Sequence, residues 1–503
     1  MSYSASELPE TSSTRPDAAP GRHVAIVGGG PTAVAALVQL ASGSAVQSVS
    51  IIAPNDIGLT PAFSAGGSRV LCNTSVDVTS LSPDGRSDLL DYLVGRGWPV
   101  SSTDFVPRYL VGCYLRERYL QARSAMRRTR RPVTHVRDRV VSISGGPGTY
   151  RLVLAGGDEL FAGDVLICTG GGAPKIPEVL ESHVNSPGVT VMPVAPSRLH
   201  EVPPGSRVLV LGSKLGAVDA ALVLLENGCV VTLSSPSGRL PAVRTRLVRG
   251  RAHGVAEQWR ARAAHLATQE GLRHVTRRLV RLARSAGAGT AGVEPARRDP
   301  LDQLAAEAAR AAADDVPWQD IVSEVIDAMN SVLPEISADH RQRIMESCRE
   351  SVSRYVSAIP ERNARRLVSH ARAGRLTLAG GLARSISPGP EGGWRVVWAD
   401  GGTSAGFDHI VSAVGHRRPQ HRFDASGTII LDGGAGQPRP GSEAGGGPVR
   451  VRRDLRLDRG PGTPAERIWA LGATAWPTFP VVNYLRASAQ HAALVSAQLE
   501  GAD

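Results

Sequence analysis

Gly28, Gly30 and Ala33 form a G-x-G-x-x-A run within HVAIVGGGPTAVAALVQLA, residues 23–41. The first glycine lets the chain reverse sharply, and the second leaves bare backbone where a pyrophosphate must approach. A small third residue lets a helix pack close to its strand. The helix begins at Pro31-Thr32, and its first amides and positive dipole end point at the phosphates. With a β-branched run before it and an apolar helical period after it, this run is a dinucleotide signal.

The pattern recurs in RVLVLGSKLGAVDAALVLL, residues 207–225, with Gly212 as the first glycine and Gly216 close behind. Lys214 stands where the second glycine belongs, and it either occludes a pyrophosphate or supplies a cation to it. The strand that follows ends in Ser234-Ser235 with no acid, and Arg239 and Arg244 come next. That combination favours the 2′-phosphate of NADPH over the free ribose of NADH. The first unit has a comparable gap. Ala53 ends the second strand where an acid usually binds ribose hydroxyls, leaving Asn55 or Asp56 to reach instead.

The elements that must position these residues read as two strand–turn–helix–strand units, an α/β fold of two Rossmann-like dinucleotide-binding domains. Val133–Ser144 and Tyr150–Ala155 read as a small antiparallel meander. A buried strand, DVLIC, runs into Thr169-Gly170, and another ends at Gly415-His416. From about 244 to 372 the pattern is helical, an insertion that forms a lid or a partner surface, or simply adds packing bulk. A last strand runs into Gly472-Ala473, and a helix from about Val482 to Glu500 closes the chain. The expected division is a disordered tail at 1–21, one dinucleotide-binding domain at 22–204 and 405–503, and a second at 205–404 inserted within it, which the resemblance described below makes the FAD-binding and NAD(P)-binding domains.

Charge and composition narrow the function. The formal net charge is +11, from 57 basic and 46 acidic residues. Eleven arginines against two acids at 244–284 leave a local excess of +9, and eight acids against one arginine at 299–327 leave −7. Two neighbouring segments of opposite sign read as mutually facing or as mixed solvated surfaces, not as a grip on nucleic acid. With 4% aromatic residues there is no stacking platform for single strands either. No apolar run is long enough to span a membrane. The five cysteines are scattered without a C-x-x-C pair, which points to a reduced, cytoplasmic protein. The partner expected is a small-molecule substrate, and the oligomeric state is left open.

Taken in order, GGGPTA (28–33), SRVLCNTS (68–75), DFVPRYLVGCYL (104–115), CTGGGAPKIP (168–177), VLGSKLGAVDAAL (210–222), SAVGHRRP (412–419) and ALGATAWPTFPVVNYL (470–485) resemble the two-dinucleotide-binding flavoproteins, in particular those similar to lysine and ornithine N-hydroxylases. The resemblance implies FAD held at Gly28, Gly30 and Ala33, with Asn73 near the isoalloxazine ring. Thr169-Gly170 and Gly415 would be the crossings between domains. Gly472 and the residues near Val481 and Val482 would face the flavin. Ala473 replaces an aspartate that often binds the ribityl chain. The activity implied is an FAD- and NADPH-dependent monooxygenase that hydroxylates a small amino compound. The alternatives are a flavin dehydrogenase or oxidase that inserts no oxygen, and a non-catalytic nucleotide-binding protein. His416 and His135 are candidate proton carriers or ordinary histidines. Tyr484 and Arg486 either bind a substrate carboxylate or pack the domain interface.

Overall fold

A computed structural model describes residues 22–63, 70–84, 87–194, 196–247, 299–389, 392–419, 421–431, 449–460, 463, 466–482 and 484–501. The expected tail at 1–21, most of the arginine-rich segment and the glycine- and proline-rich stretch at 432–448 lie outside them.

β1 (Arg22–Val27) is apolar because both of its faces are covered. Val24 and Ile26 pack on one side with helix α1 (Pro31–Ser42), while Ala25 and Val27 face the meander on the other. Helix α1 buries Ala33, Val34, Leu37 and Leu40, each buried leucine contributing about 1.5–3 kcal/mol. β2 (Val46–Ile52), β3 (Val133–Val136) and β4 (Asp164–Ile167) are parallel to β1 in a single sheet. Helix α2 (Arg108–Arg128) packs on α1's side of it.

Val133–Val136 is therefore an edge of the nucleotide sheet and not part of the meander expected from its sequence. Asp138 accepts the Arg139 amide at 2.6 Å and breaks the run, so the meander starts afresh at Val140–Gly146. Thr149–Leu154 and Glu159–Ala162 complete its antiparallel core.

The second sheet is built from β5 (Val189–Val191), β6 (Arg207–Leu211), β7 (Val230–Ser235), β8 (Leu376–Gly380) and β9 (His409–Ser412), all parallel, in the order β8-β7-β6-β9-β5. Helix α3 (Leu215–Glu226) follows β6 as α1 follows β1. Strands β5 and β9 fall inside the ranges given above to the first domain. In the sheets themselves the chain changes units after β4 and after β9. There the two crossings pair with each other: Gly172 N–H to the Arg417 carbonyl (3.1 Å), Arg417 N–H to that of Ala173 (2.7 Å) and Lys175 N–H to that of Gly415 (2.9 Å). β10 (Ile468–Ala470) then returns beside β4 and completes the first sheet, in the order β10-β4-β1-β2-β3.

The described part of the insertion is helical, as its periodicity implies. It includes α4 (Pro300–Ala312), capped by Asp299 on the Leu301 amide at 2.8 Å, and α5 (Gln319–Val332). Arg246 bridges Asp314 (2.7 Å) and Asp320 (2.8 Å), so at this point the opposite charges do face each other. The core around α5 takes in Val78 and Val481 from the first unit. Helix α6 (Leu485–Glu500) ends the fold, and it begins three residues later than its apolar pattern indicates. No described helix is long and apolar enough to cross a membrane.

Candidate functional site

The two glycine turns share one geometry. Gly28 has φ +118°, its amide donates to the Ile52 carbonyl at 2.8 Å, and a side chain on it would collide with the carbonyl oxygen of Cys168 at the end of β4. Gly212 has φ +125°, its amide donates to the Ser234 carbonyl at 2.6 Å, and a Cβ would stand 2.6 Å from the Ala413 carbonyl oxygen after β9. Each glycine thus lets the turn pass under the strand that neighbours its own.

The second positions differ. Gly30 caps α1 in extended geometry, and a Cβ there would find nothing nearer than Thr60 Cγ2 at 3.7 Å. The head of α1 is therefore open backbone, flanked by Pro31 and by Thr32, whose Oγ1 pairs with Ser488 Oγ at 2.9 Å. Lys214 takes the matching place at α3 with the same extended backbone. Its amine is held below its ordinary pKa by burial and by the cations of Arg354 and Arg239, with Glu350 opposing. Gly216 is exposed in the first turn. Ser213 Oγ ties the turn to Ser235 Oγ and to the Arg239 carbonyl, both at 2.8 Å. Arg239 is exposed and reaches Glu350 at 3.5 Å. Arg244 is fully buried and donates to the Tyr355 and Val356 carbonyls, at 3.1 and 2.6 Å, so it is not the phosphate arm that the sequence suggested.

At the ribose end of the first turn, Ala53 is buried and faces the glycines; a Cβ on Gly29 would come 2.8 Å from its own. Asn55 is exposed and Asp56 is paired with Arg137 at 2.6 Å. His135 Nε2 lies 3.0 Å from the Ala53 carbonyl, a local structural bond that accounts for this histidine. His416 is exposed on the second crossing.

At the opposite end, Thr169 and Gly170 leave β4 partly exposed beside the first turn. Gly472 opens a short 3₁₀ turn that includes Ala473, and its amide donates to Nδ1 of His491 at 3.1 Å. Burial pushes His491 down to about 4, so the ring is neutral and Nδ1 is free to accept. Asn73 contributes a buried Oδ1 with no hydrogen-bond partner, an acceptor left for a bound group. Open backbone at Gly30 and this orphaned acceptor at Asn73 are features that a diphosphate and a ring N–H would satisfy. Ala53 and Ala473 supply neither of the usual carboxylates.

Val481 and Val482 precede α6 in a non-helical segment, and the Val481 amide is already engaged by Asn330 of α5 at 3.1 Å. Arg486 pairs with Asp327 at 3.1 Å, and Tyr484 faces Asp327 and Asn330. Of the two readings for Tyr484 and Arg486, this is interface packing and not a free carboxylate clamp. Asn330, Asp327 and His491 are site neighbours that carry no motif. Another is Asp219 on α3, which accepts from Arg108 of α2 at 2.7 Å. Only the acidic run around Asp327 stood out in the sequence. No cluster of metal-ligating side chains occurs among the described residues.

Residues 25–172 match the model of a family described as FAD-NAD(P)-binding. No curated protein matches the chain in sequence. Among solved structures, the fold is similar to that of ornithine hydroxylase from Pseudomonas aeruginosa in its reduced form, with a TM-score of 0.55 at 14% identity over 96% of this chain and 99% of that one. A second structure of that protein gives the same values. A flavin monooxygenase from Stenotrophomonas maltophilia follows at TM-score 0.47 and 14% identity, covering 96% and 98%, too distant to carry weight. What the likeness shows is the fold alone.

Proposed function

We propose that this FAD-NAD(P)-binding chain is an NADPH-dependent oxidoreductase, and specifically a monooxygenase that hydroxylates the nitrogen of a small amino compound. The observation that carries the reading is the repeated turn, with Gly28 under the Cys168 carbonyl and Gly212 under that of Ala413. It supports one nucleotide at the head of α1 and a second at the head of α3. The ornithine hydroxylase with the similar fold acts, as its name states, on ornithine, and a small amino compound is the corresponding substrate class.

A bound flavin supplies hydride acceptance and reaction with oxygen, the chemistry that side chains lack. The chain's own work is to bind, orient and enclose. The Gly30, Thr32 and Ala33 amides at the head of α1 would meet the diphosphate of FAD, with Pro31, which has no N–H, fixing the first turn. Asn73 Oδ1 would accept from an N–H of the flavin ring. Gly472 and Ala473, braced by His491, would border the ribityl chain. Gly212, Lys214 and Gly216 would meet the second diphosphate, and Arg239 would exchange Glu350, 3.5 Å away, for a 2′-phosphate. The domains divide at Thr169-Gly170 and Gly415, the paired crossings. The described part of the insertion packs on Val481 and Tyr484 and would border the cofactor there.

The absorption spectrum of purified protein reconstituted with FAD tests the cofactor, and product mass tests the reaction. Gain of one oxygen atom is expected. NADPH-dependent loss of two hydrogens without oxygen contradicts the monooxygenase reading.

A further inference from the structure

Asn330 sits near the end of α5, in the helical insertion, yet both ends of its carboxamide are spent on the first unit. Oδ1 accepts the Val481 amide at 3.1 Å, and Nδ2 donates to the Val481 carbonyl at 2.6 Å. Nδ2 also lies 3.4 Å from the Tyr484 hydroxyl. Two bonds to one residue's N–H and C=O fix the rotation of both peptides around Val481, as a strand partner would. The surroundings hold the pair in place. Val481 and Tyr484 pack with Ile326 and Met329 of the insertion, and Asp327, one turn before Asn330, is ion-paired with Arg486 at 3.1 Å.

We infer that Asn330 is a positioning residue for the flavin ring: its carboxamide turns the Val481 amide away from the cleft and thereby aims the Val482 peptide and the first amides of α6 at it. The inference rests on the FAD reading above. The Val481 amide, expected at the ring, belongs instead to the insertion. An insertion placed between the halves of the second unit thus sets the electrostatics at the cofactor of the first. Hydrogen bonds at the pyrimidine end of a flavin stabilise charge there, so their aim is read in the colour and potential of the ring.

The test compares wild type, Asn330→Ala, Asn330→Asp and Asp320→Asn by FAD titration and by the absorption maxima and midpoint potential of the bound flavin. Asn330→Ala is expected to weaken FAD binding about tenfold, the loss of roughly one well-aligned hydrogen bond, and to shift the flavin bands and potential. Asn330→Asp keeps the acceptor for the Val481 amide but sets a carboxylate against the Val481 carbonyl that Nδ2 now holds at 2.6 Å, and is expected to recover either signal only in part. Asp320→Asn loosens the same helix through Arg246 (2.8 Å) and is expected to lower the melting temperature while leaving the flavin signals as in wild type. An Asn330→Ala protein with wild-type affinity, spectrum and potential overturns the inference. So does an Asp320→Asn protein that shifts them equally, since the effect is then mere loosening. Wild type that binds no FAD overturns the flavin reading and this inference together.

Discussion

Arg108 Nη2 donates to the Asp219 carboxylate at 2.7 Å, joining α2 of the first unit to α3 of the second. Arg108 Nε is anchored on the Leu71 carbonyl at 3.2 Å, beside the loop that carries Asn73. Burial holds Asp219 above the usual carboxylate range despite Arg108. Removing the cation leaves a buried charge unpaired. Arg108→Ala is expected to cost about 3–5 kcal/mol in denaturant unfolding. The double variant with Asp219→Asn is expected to recover much of that, and a double variant no better than the single would show the pair is not coupled.

His491 makes stability depend on pH. Its folded value of about 4 lies below the ordinary 6.5, so the unfolded chain takes up a proton first as the pH falls. Its contribution is complete above pH 6.5 and is lost between 6.5 and about 4, on the order of 3 kcal/mol in all. His491→Asn offers an oxygen to the Gly472 amide and cannot titrate. A flatter melting-temperature profile from pH 7 to 4.5 is expected, and an unchanged slope would place the acid sensitivity elsewhere.

Lys214 and Arg239 address NADPH. If the lysine supplies a cation to the second diphosphate, Lys214→Ala raises KM for NADPH about tenfold at unchanged FAD affinity, the loss of one charged contact. Arg239→Ala should narrow the preference for NADPH over NADH by a similar factor. Faster NADPH oxidation by Lys214→Ala would mean that the side chain occludes the site.

How much of this was legible beforehand follows from how local each signal is. The glycine turns, α1 and α3 were readable because strand, turn and helix chemistry fit within twenty residues. The family resemblance placed the crossings at Gly170 and Gly415, and the paired backbone there is the observed change of sheet. The domain limits given from the sequence were different, because β5 and β9 are short strands whose partners lie far along the chain. Val133–Val136 went to the meander for the same reason: nothing local distinguishes a parallel edge from a hairpin strand. Arg244 looked like a phosphate ligand because spacing does not show which arginine is buried. Asn330 had no signal at all, since its role exists only once the insertion meets Val481.

The decisive experiment is titration of FAD against wild type and Gly30→Val, followed by flavin fluorescence and by thermal melting. Valine suits the extended backbone at position 30 before Pro31, so the fold should hold while its side chain covers the amides of α1. Saturable, one-to-one quenching by wild type and loss of binding by a Gly30→Val protein of near-normal melting temperature is the expected result. A wild type that leaves free FAD unquenched, or a Gly30→Val protein that binds as tightly as wild type, would contradict a diphosphate held at the head of that helix.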